Sequence, residues 1–229
     1  MAAHGKQYRD VAGTIEAGEA LDQKAAIAKV KEMAFAKFDE TVDAAVRLGV
    51  DPRHADQIVR GTVQLPAGTG RNVRVLAIVQ GDKVAEAEAA GADYVGTEYI
   101  AKIQDGWLDF DVAVVTPDLM KDVAKLGRVL GPRGLMPTPK AGTVTTDIGR
   151  VVGEAKAGRI EYRVDKFGNI HAPIGKVSFE AGALLDNFTA LMDSVVRNRP
   201  SATKGTYIKS ITVSSTMGPG VSVDPNLYK

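Results

Sequence analysis

Cysteine is absent from this 229-residue chain, which excludes disulfide staples, thiolate catalysis and cysteine metal sites. Histidine is scarce: His4, His54 and His171 stand far apart, without the spacing that brings two imidazoles to one metal. No apolar run reaches membrane-spanning length, and the start Met1-Ala2-Ala3-His4-Gly5-Lys6 has no apolar secretory core behind it, so a cytosolic chain with no membrane partner is expected. A charge excess is also missing. The formal net charge is +1, so any phosphate-binding surface must be a local basic patch whose charge is cancelled elsewhere.

The motifs of common chemistries are missing too. There is no nucleophile elbow. Lys140 is followed by Ala141 where a phosphate loop needs Ser or Thr, and Gly68-Thr69-Gly70 precedes an apolar strand where a dinucleotide fingerprint would follow it. Asp109 and Asp111 share a side, but no metal-loop spacing surrounds them, and a solvated turn is expected. The sequence therefore predicts no catalytic residue, no metal ligand and no cofactor.

What is present is an ordinary globular composition, 45% hydrophobic and 25% charged, long enough for one large domain or two smaller ones. A helix is predicted over Asp22 to Ala36 with Ile27, Val30 and Ala34 on one face, then strands at Thr41 to Leu48 and Gly61 to Leu65. After the turn-rich stretch Pro66-Ala67-Gly68-Thr69-Gly70, strands and helices alternate. Strands are predicted at 73–79, 92–95 and 112–115, and helices at 82–90, 98–104, 118–129 and 147–156, which implies an α/β layer domain with parallel pairing.

The pattern then changes. Ile160, Tyr162 and Val164 alternate with polar residues, as do Ile170, Ala172 and Ile174 after Lys166-Phe167-Gly168-Asn169, and the two runs read as the arms of one hairpin. A long amphipathic helix from Phe179 to Arg197 follows, stopped by Pro200. Thr206 to Thr216 reads as a two-faced strand. Tyr207, Ile211 and Val213 share one face, with Lys209 as a polar exception; Ser210, Thr212, Ser214 and Thr216 form a row of hydroxyls on the other. Both ends of the chain read α+β and the middle α/β, so the economical architecture is a split outer domain with the middle inserted.

The run from Leu130 to Gly142, with Gly-Pro-Arg-Gly at its head, combines fixed and permissive backbone with Arg133 and Lys140. It reads equally as a shaped contact surface and as an ordinary connection. Two other places suit RNA. At Ser214-Ser215-Thr216-Met217-Gly218-Pro219-Gly220, hydroxyls and amides could reach ribose and phosphate while Met217 lies on a base; the other reading is a turn with Met217 in the core. At Lys37-Phe38-Asp39-Glu40-Thr41, Lys37 could pair with phosphate, Phe38 could stack, and Glu40 could accept a proton from a base or ribose. Phe38 as an ordinary core residue is the alternative. His171 is either a ligand contact or a surface histidine. The residues by themselves leave open an α/β enzyme working at the middle-domain strand ends, and a scaffold whose Pro/Gly run docks another protein.

Lys37-Phe38, Leu126 to Pro139, His171-Ala172-Pro173-Ile174-Gly175-Lys176 and Thr216-Met217-Gly218-Pro219 together resemble, in order and spacing, the L1 family of bacterial large-subunit ribosomal proteins. The resemblance covers essentially the full length. It implies an rRNA-binding outer domain, residues 1–67 and 159–229, and an inserted Rossmann-like three-layer α/β domain, residues 68–158. It implies an RNA surface of Lys37, Phe38, Glu40, Thr41, Thr216, Met217 and Gly218, with His171, Lys176, Ser178 and Ser210 alongside, and interdomain or secondary RNA contacts at Arg133, Lys140, Pro66 and Gly158. The implied role is noncatalytic and cofactor-free. The partners it implies are the large ribosomal subunit through the stalk region of 23S rRNA, the tRNA leaving the exit site, and the chain's own mRNA as a target of repression.

Overall fold

Asp22 precedes the first long apolar-periodic run, and in the computed structural model, which describes residues 5–15 and 20–228 with the backbone alone at Lys140, it caps a helix. Its carboxylate accepts the Ala25 amide at 2.7 Å, satisfying a donor that a helix start otherwise leaves unpaired. A short helix α1 (Lys6–Ala12) comes first, then α2 (Gln23–Glu32), which buries Ala26, Ile27 and Val30. The helix ends four residues before the expected Ala36, because the amides of Phe35 and Ala36 turn to the Glu40 carboxylate. Ala34 therefore lies off the helix. Strands β1 (Thr41–Leu48) and β2 (Arg60–Gln64) follow.

The chain divides into two compact units, Met1–Gly70 with Ile160–Lys229, and Arg71–Arg159. Within the second, β3 (Val75–Ile78), α3 (Lys83–Ala89), β4 (Tyr94–Val95), α4 (Tyr99–Gln104) and β5 (Val112–Val115) form a parallel sheet of order β4-β3-β5 with its connecting helices. Every residue of β3 is buried, as a strand covered on both faces must be. Val75 and Ala77 face one apolar cluster with Ala87, Val151 and Val152; Leu76 and Ile78 face another with Ile103, Val123, Leu126 and Leu130. Those two clusters are the two interfaces of a three-layer sandwich.

The single helix expected at 118–129 is instead a 3₁₀ turn, Pro117–Leu119, and two short helices, α5 (Met120–Ala124) and α6 (Gly127–Leu130). Between them the amides of Lys125 and Leu126 reach back only three residues, to Asp122 and Val123. That tighter winding still buries Val123, Leu126 and Leu130. Past α6, Gly134 and Gly142 adopt left-handed φ of 71° and 69°, and the Leu135 amide closes on the Leu130 carbonyl at 3.1 Å, so the Gly-Pro-Arg-Gly run has a defined path. Asp109 and Asp111 form no simple solvated turn: Arg74 binds both, at 2.9 and 3.2 Å, and Arg71 binds Asp111 at 2.7 Å. The unit closes with α7 (Ile148–Lys156), which buries Ile148, Val151, Val152 and Ala155 as its period predicts.

The chain returns through β6 (Arg159–Arg163), β7 (Asn169–Lys176), α8 (Ala181–Arg197), β8 (Ile208–Ser215) and β9 (Val221–Val223). The expected β6–β7 hairpin does not form: β6 pairs with β2, whereas β7 joins a four-stranded sheet of order β7-β1-β8-β9. The turn between them is tight, with the Asp165 amide on the Asn169 carbonyl at 2.8 Å, but the arms part to different partners. Helices α2 and α8 cover one face of the larger sheet, with Leu184, Phe188, Leu191, Met192 and Val195 of α8 in the core. Buried among them, the Asn187 side chain accepts the Ala67 amide at 2.9 Å and donates to the carbonyls of Gly68, 2.9 Å, and Ile174, 2.7 Å.

A bulge explains the polar exception in β8. Opposite β1, Arg47 pairs with Ser210 but Leu48 with Ile208, so Lys209 is the extra residue. Ile208 and Ile211 thereby both face the core while Lys209 stays in water. Tyr207 is buried, as expected, and its hydroxyl donates to the Val195 carbonyl at 3.0 Å.

Candidate nucleic-acid interface

Among the described residues of the first unit, strand alternation leaves the second face of the four-stranded sheet without a covering helix. It carries Asp43, Ala45 and Arg47 from β1, Asn169, His171 and Pro173 from β7, and Ser210, Thr212 and Ser214 from β8. The register aligns them in rows: Pro173, Asp43 and Ser214; His171, Ala45 and Thr212; Asn169, Arg47 and Ser210. The hydroxylated side chains of β8 on this face offer both donors and acceptors. Pro173 lacks an amide hydrogen and sits on the edge strand, where no ladder bond is lost. His171 is exposed, 4.0 Å from Asp165. Asp43 is the acidic member of the face; burial pushes its carboxyl up, against the pull of His171 and Lys176.

At the Thr41 end of this sheet three turns are bolted together. Glu40 is 1% exposed, and its carboxylate accepts the amides of Phe35 at 3.1 Å, Ala36 at 2.9 Å and Met217 at 2.9 Å. Burial pushes the Glu40 carboxyl up, yet the bonds from Met217, Ala36, the Ser215 side chain and Phe35 outweigh it and hold it below the usual carboxylate range. The expectation that Glu40 meets a base or ribose is thus corrected: its oxygens are already engaged by the chain, and its work is to position the turns on either side. The Thr216 hydroxyl accepts the Thr41 amide at 2.9 Å and donates to the Thr41 carbonyl at 3.2 Å, so a side chain extends the β1–β8 ladder by one step.

The third turn follows β7. Lys176 donates to the Thr41 hydroxyl at 2.8 Å, and Ser178 gives both its amide, 3.1 Å, and its hydroxyl, 2.8 Å, to Asp39. Lys31 reaches the Phe179 carbonyl. The Gly218 amide bonds the Ser215 hydroxyl at 3.2 Å, and a Cβ on Gly218 would lie 2.5 Å from that oxygen, so a larger residue there would have to turn the Ser215 hydroxyl aside.

With the backbone fixed in this way, Phe38 is 56% and Met217 51% exposed, and Lys37 is exposed beside Phe38. Neither the core reading of Phe38 nor that of Met217 holds. Large apolar side chains held in water on a pinned backbone, beside hydroxyls and ammonium groups, can lie against bases and riboses at the cost of ordering the side chains alone, the backbone being already in place.

Lys37, Phe38, Thr41, Lys176, Ser178, Thr216, Met217 and Gly218 therefore gather at one end of the sheet, and His171 and Ser210 lie along its open face. Asp39, Asp43, Thr212, Ser214 and Ser215 belong to the same surface or its supports. The hydroxyl row of β8 was visible in the sequence as a period of two; Asp39 and Ser215 lay within the two candidate runs, but nothing local marked their roles as acceptors for Ser178 and Gly218. Arg133 is exposed on its turn in the second unit, and Lys140 lies in a 3₁₀ turn with its side chain outside the described residues, as is the whole of His4. Pro66 is exposed beside buried Leu65, and Gly158 is buried with φ of 96°, each close in sequence to a chain crossing between the units. Among the described residues no cluster of His, Asp and Glu could hold a metal ion.

Residues 30–219 match the profile of the Ribosomal protein L1p/L10e family. Over 229 residues, 100% of both chains, the sequence is 61% identical to the large ribosomal subunit protein uL1 of Gemmatimonas aurantiaca.

Proposed function

We propose, from the premise that this chain belongs to the ribosomal protein L1p/L10e family, that the open sheet face and the Thr41–Met217 end of the first unit bind the stalk region of 23S rRNA. The family membership itself makes the chain a structural, rRNA-binding protein of the large ribosomal subunit in the bacterial cytoplasm, and no enzyme. The observation that carries the finer reading is the Glu40 clip, which fixes two turns while leaving Phe38 and Met217 in water.

In this reading Lys37 and Lys176 meet phosphates. Thr41, Ser178, Ser210 and Thr216, with His171, meet ribose hydroxyls and phosphate oxygens, and Phe38 and Met217 lie on bases or sugars. Arg133, Lys140, Pro66 and Gly158 belong to secondary RNA contacts or to the crossings between the units. Held on the stalk, the chain assists the departure of deacylated tRNA from the exit site. A similar RNA fold in its own message would present the same ribose and phosphate pattern to the same surface, and binding there represses translation.

The test is a titration of the full chain with a stalk-rRNA fragment and with an unrelated duplex at several salt concentrations. Tighter binding to the stalk fragment at every salt concentration is expected, with both affinities falling as salt rises. Equal affinity for the two RNAs would sink the reading.

A further inference from the structure

Beside the Met217 turn lies an open cleft of about 610 Å³, lined by Lys6, Gln7 and Tyr8 of α1 on one side and by Phe35, Thr216 and Met217 on the other. Its volume falls in the range of about 300–1,000 Å³ common to sites for small organic groups. The chemistry of its walls is selective. Phe35, Tyr8 and Met217 supply apolar and aromatic surface, Gln7 an amide that can both donate and accept, and Lys6 a cation, with no carboxylate among the described lining residues. A planar, hydrogen-bonding, apolar-faced group with a negative charge attached fits this set. A nucleotide has that composition.

The two walls are held differently. Met217 is fixed through its amide on Glu40, and Gly218 through its amide on Ser215. Helix α1 buries none of its residues completely; Val11 and Ile15 rest partly buried against the core, and the Thr14 hydroxyl approaches the Met33 sulfur at 3.8 Å. One side can therefore adjust to an inserted ring while the other keeps its place. The cleft shares Thr216, Met217 and Gly218 with the surface assigned above to rRNA, so on that assignment an RNA strand held there would pass its mouth.

We propose that this cleft receives one unpaired nucleotide of the bound rRNA, its base between Tyr8 and Met217 and its phosphate at Lys6. The proposal rests on the rRNA reading of the Met217 surface and adds α1 to it. A base taken out of a stack regains stacking on the tyrosine ring, and that exchange is open only to RNA with an unpaired position at this place, which makes α1 a source of selectivity.

The experiment uses the full chain and the stalk-rRNA fragment. Tyr8→Ala is expected to weaken binding about tenfold, the scale of one lost base–aromatic stack. Lys6→Ala is expected to lower the slope of log affinity against log salt by about one contact. In a Trp107→Phe background, which removes the chain's single tryptophan, Tyr8→Trp places a reporter in the cleft, and its fluorescence should be quenched in step with RNA binding. Specific binding by the parent, with Tyr8→Ala at parental affinity or with the reporter unquenched at saturation, overturns the cleft proposal and leaves the rRNA reading standing. Failure of the parent to prefer the stalk fragment overturns both.

Discussion

The Met217 amide donates to Glu40 Oε2 at 2.9 Å across 177 residues of sequence, and the other oxygen of that carboxylate holds Phe35 and Ala36. One buried anion thus ties the end of β8 to the turn before β1. Glu40→Ala strands those amides without a partner, and a loss of about 3 kcal/mol in urea unfolding is expected, each unsatisfied buried donor costing roughly 1–3 kcal/mol before relaxation. RNA affinity of the folded protein should fall with it, because Phe38 and Met217 lose their fixed backbone. Unchanged stability would show that water replaces the carboxylate at no cost.

The same carboxylate predicts a pH dependence. Its folded-state titration lies below the ordinary value of 4.5, so its contribution to stability is fully present above that pH and is lost as the pH falls through the lower, folded value. Unfolding free energy measured from neutral pH into the acid range should decline below about pH 4.5 more steeply in the parent than in Glu40→Gln. Parallel curves for the two proteins would remove Glu40 from the acid transition.

Met217 separates recognition from folding. Because half of it is already exposed, Met217→Asp should change stability by no more than about 0.5 kcal/mol. It should weaken stalk-rRNA binding strongly, placing a negative charge where phosphates and bases approach. Lys83→Ala is the control: Lys83 bonds Glu86 at 2.9 Å and the Thr146 carbonyl at 2.6 Å within the second unit. Equal loss of RNA affinity in the two variants would argue against the mapped surface.

Asn187 predicts a stability effect away from the RNA. Asn187→Ala leaves a cavity at a fully buried side chain and removes the partners of the part-buried Ala67 amide and Gly68 carbonyl and of the buried Ile174 carbonyl, and should cost about 2–4 kcal/mol. Urea denaturation followed by circular dichroism checks it. A change below about 1 kcal/mol would mean that the site refills with water or shifts closed.

The elements with a clean period were legible in the sequence. The stripe of α7, the faces of β1 and the hydroxyl row of β8 all follow from spacing, because burial on one side leaves a periodic mark. What did not show was the identity of partners. Alternation in β6 and β7 gives each strand a face but does not say which strand lies beside it, so adjacency suggested a hairpin where the sheet order is otherwise. The bulge at Lys209 and the break between α5 and α6 are small adjustments that keep apolar side chains inward, and an ideal period does not contain them. At the interface, exposed Phe38 and Met217 were found by residue type. Glu40 was assigned to the wrong side of the surface, since a carboxylate gathering amides from Phe35 and Met217 is intelligible only once chain segments far apart in sequence meet.

The strand order β7-β1-β8-β9 has a consequence for synthesis. Both neighbours of β1 lie in the carboxyl-terminal part of the chain, beyond the whole of the second unit. On a translating ribosome β1 emerges long before it has a strand to pair with, whereas β3, β4 and β5 meet within a short stretch of the nascent chain. The inserted unit can complete its core while the unit that encloses it in sequence is still open at both sides of β1. A newborn chain therefore acquires its Glu40–Met217 clip only after β8 and the turn at Met217 have emerged.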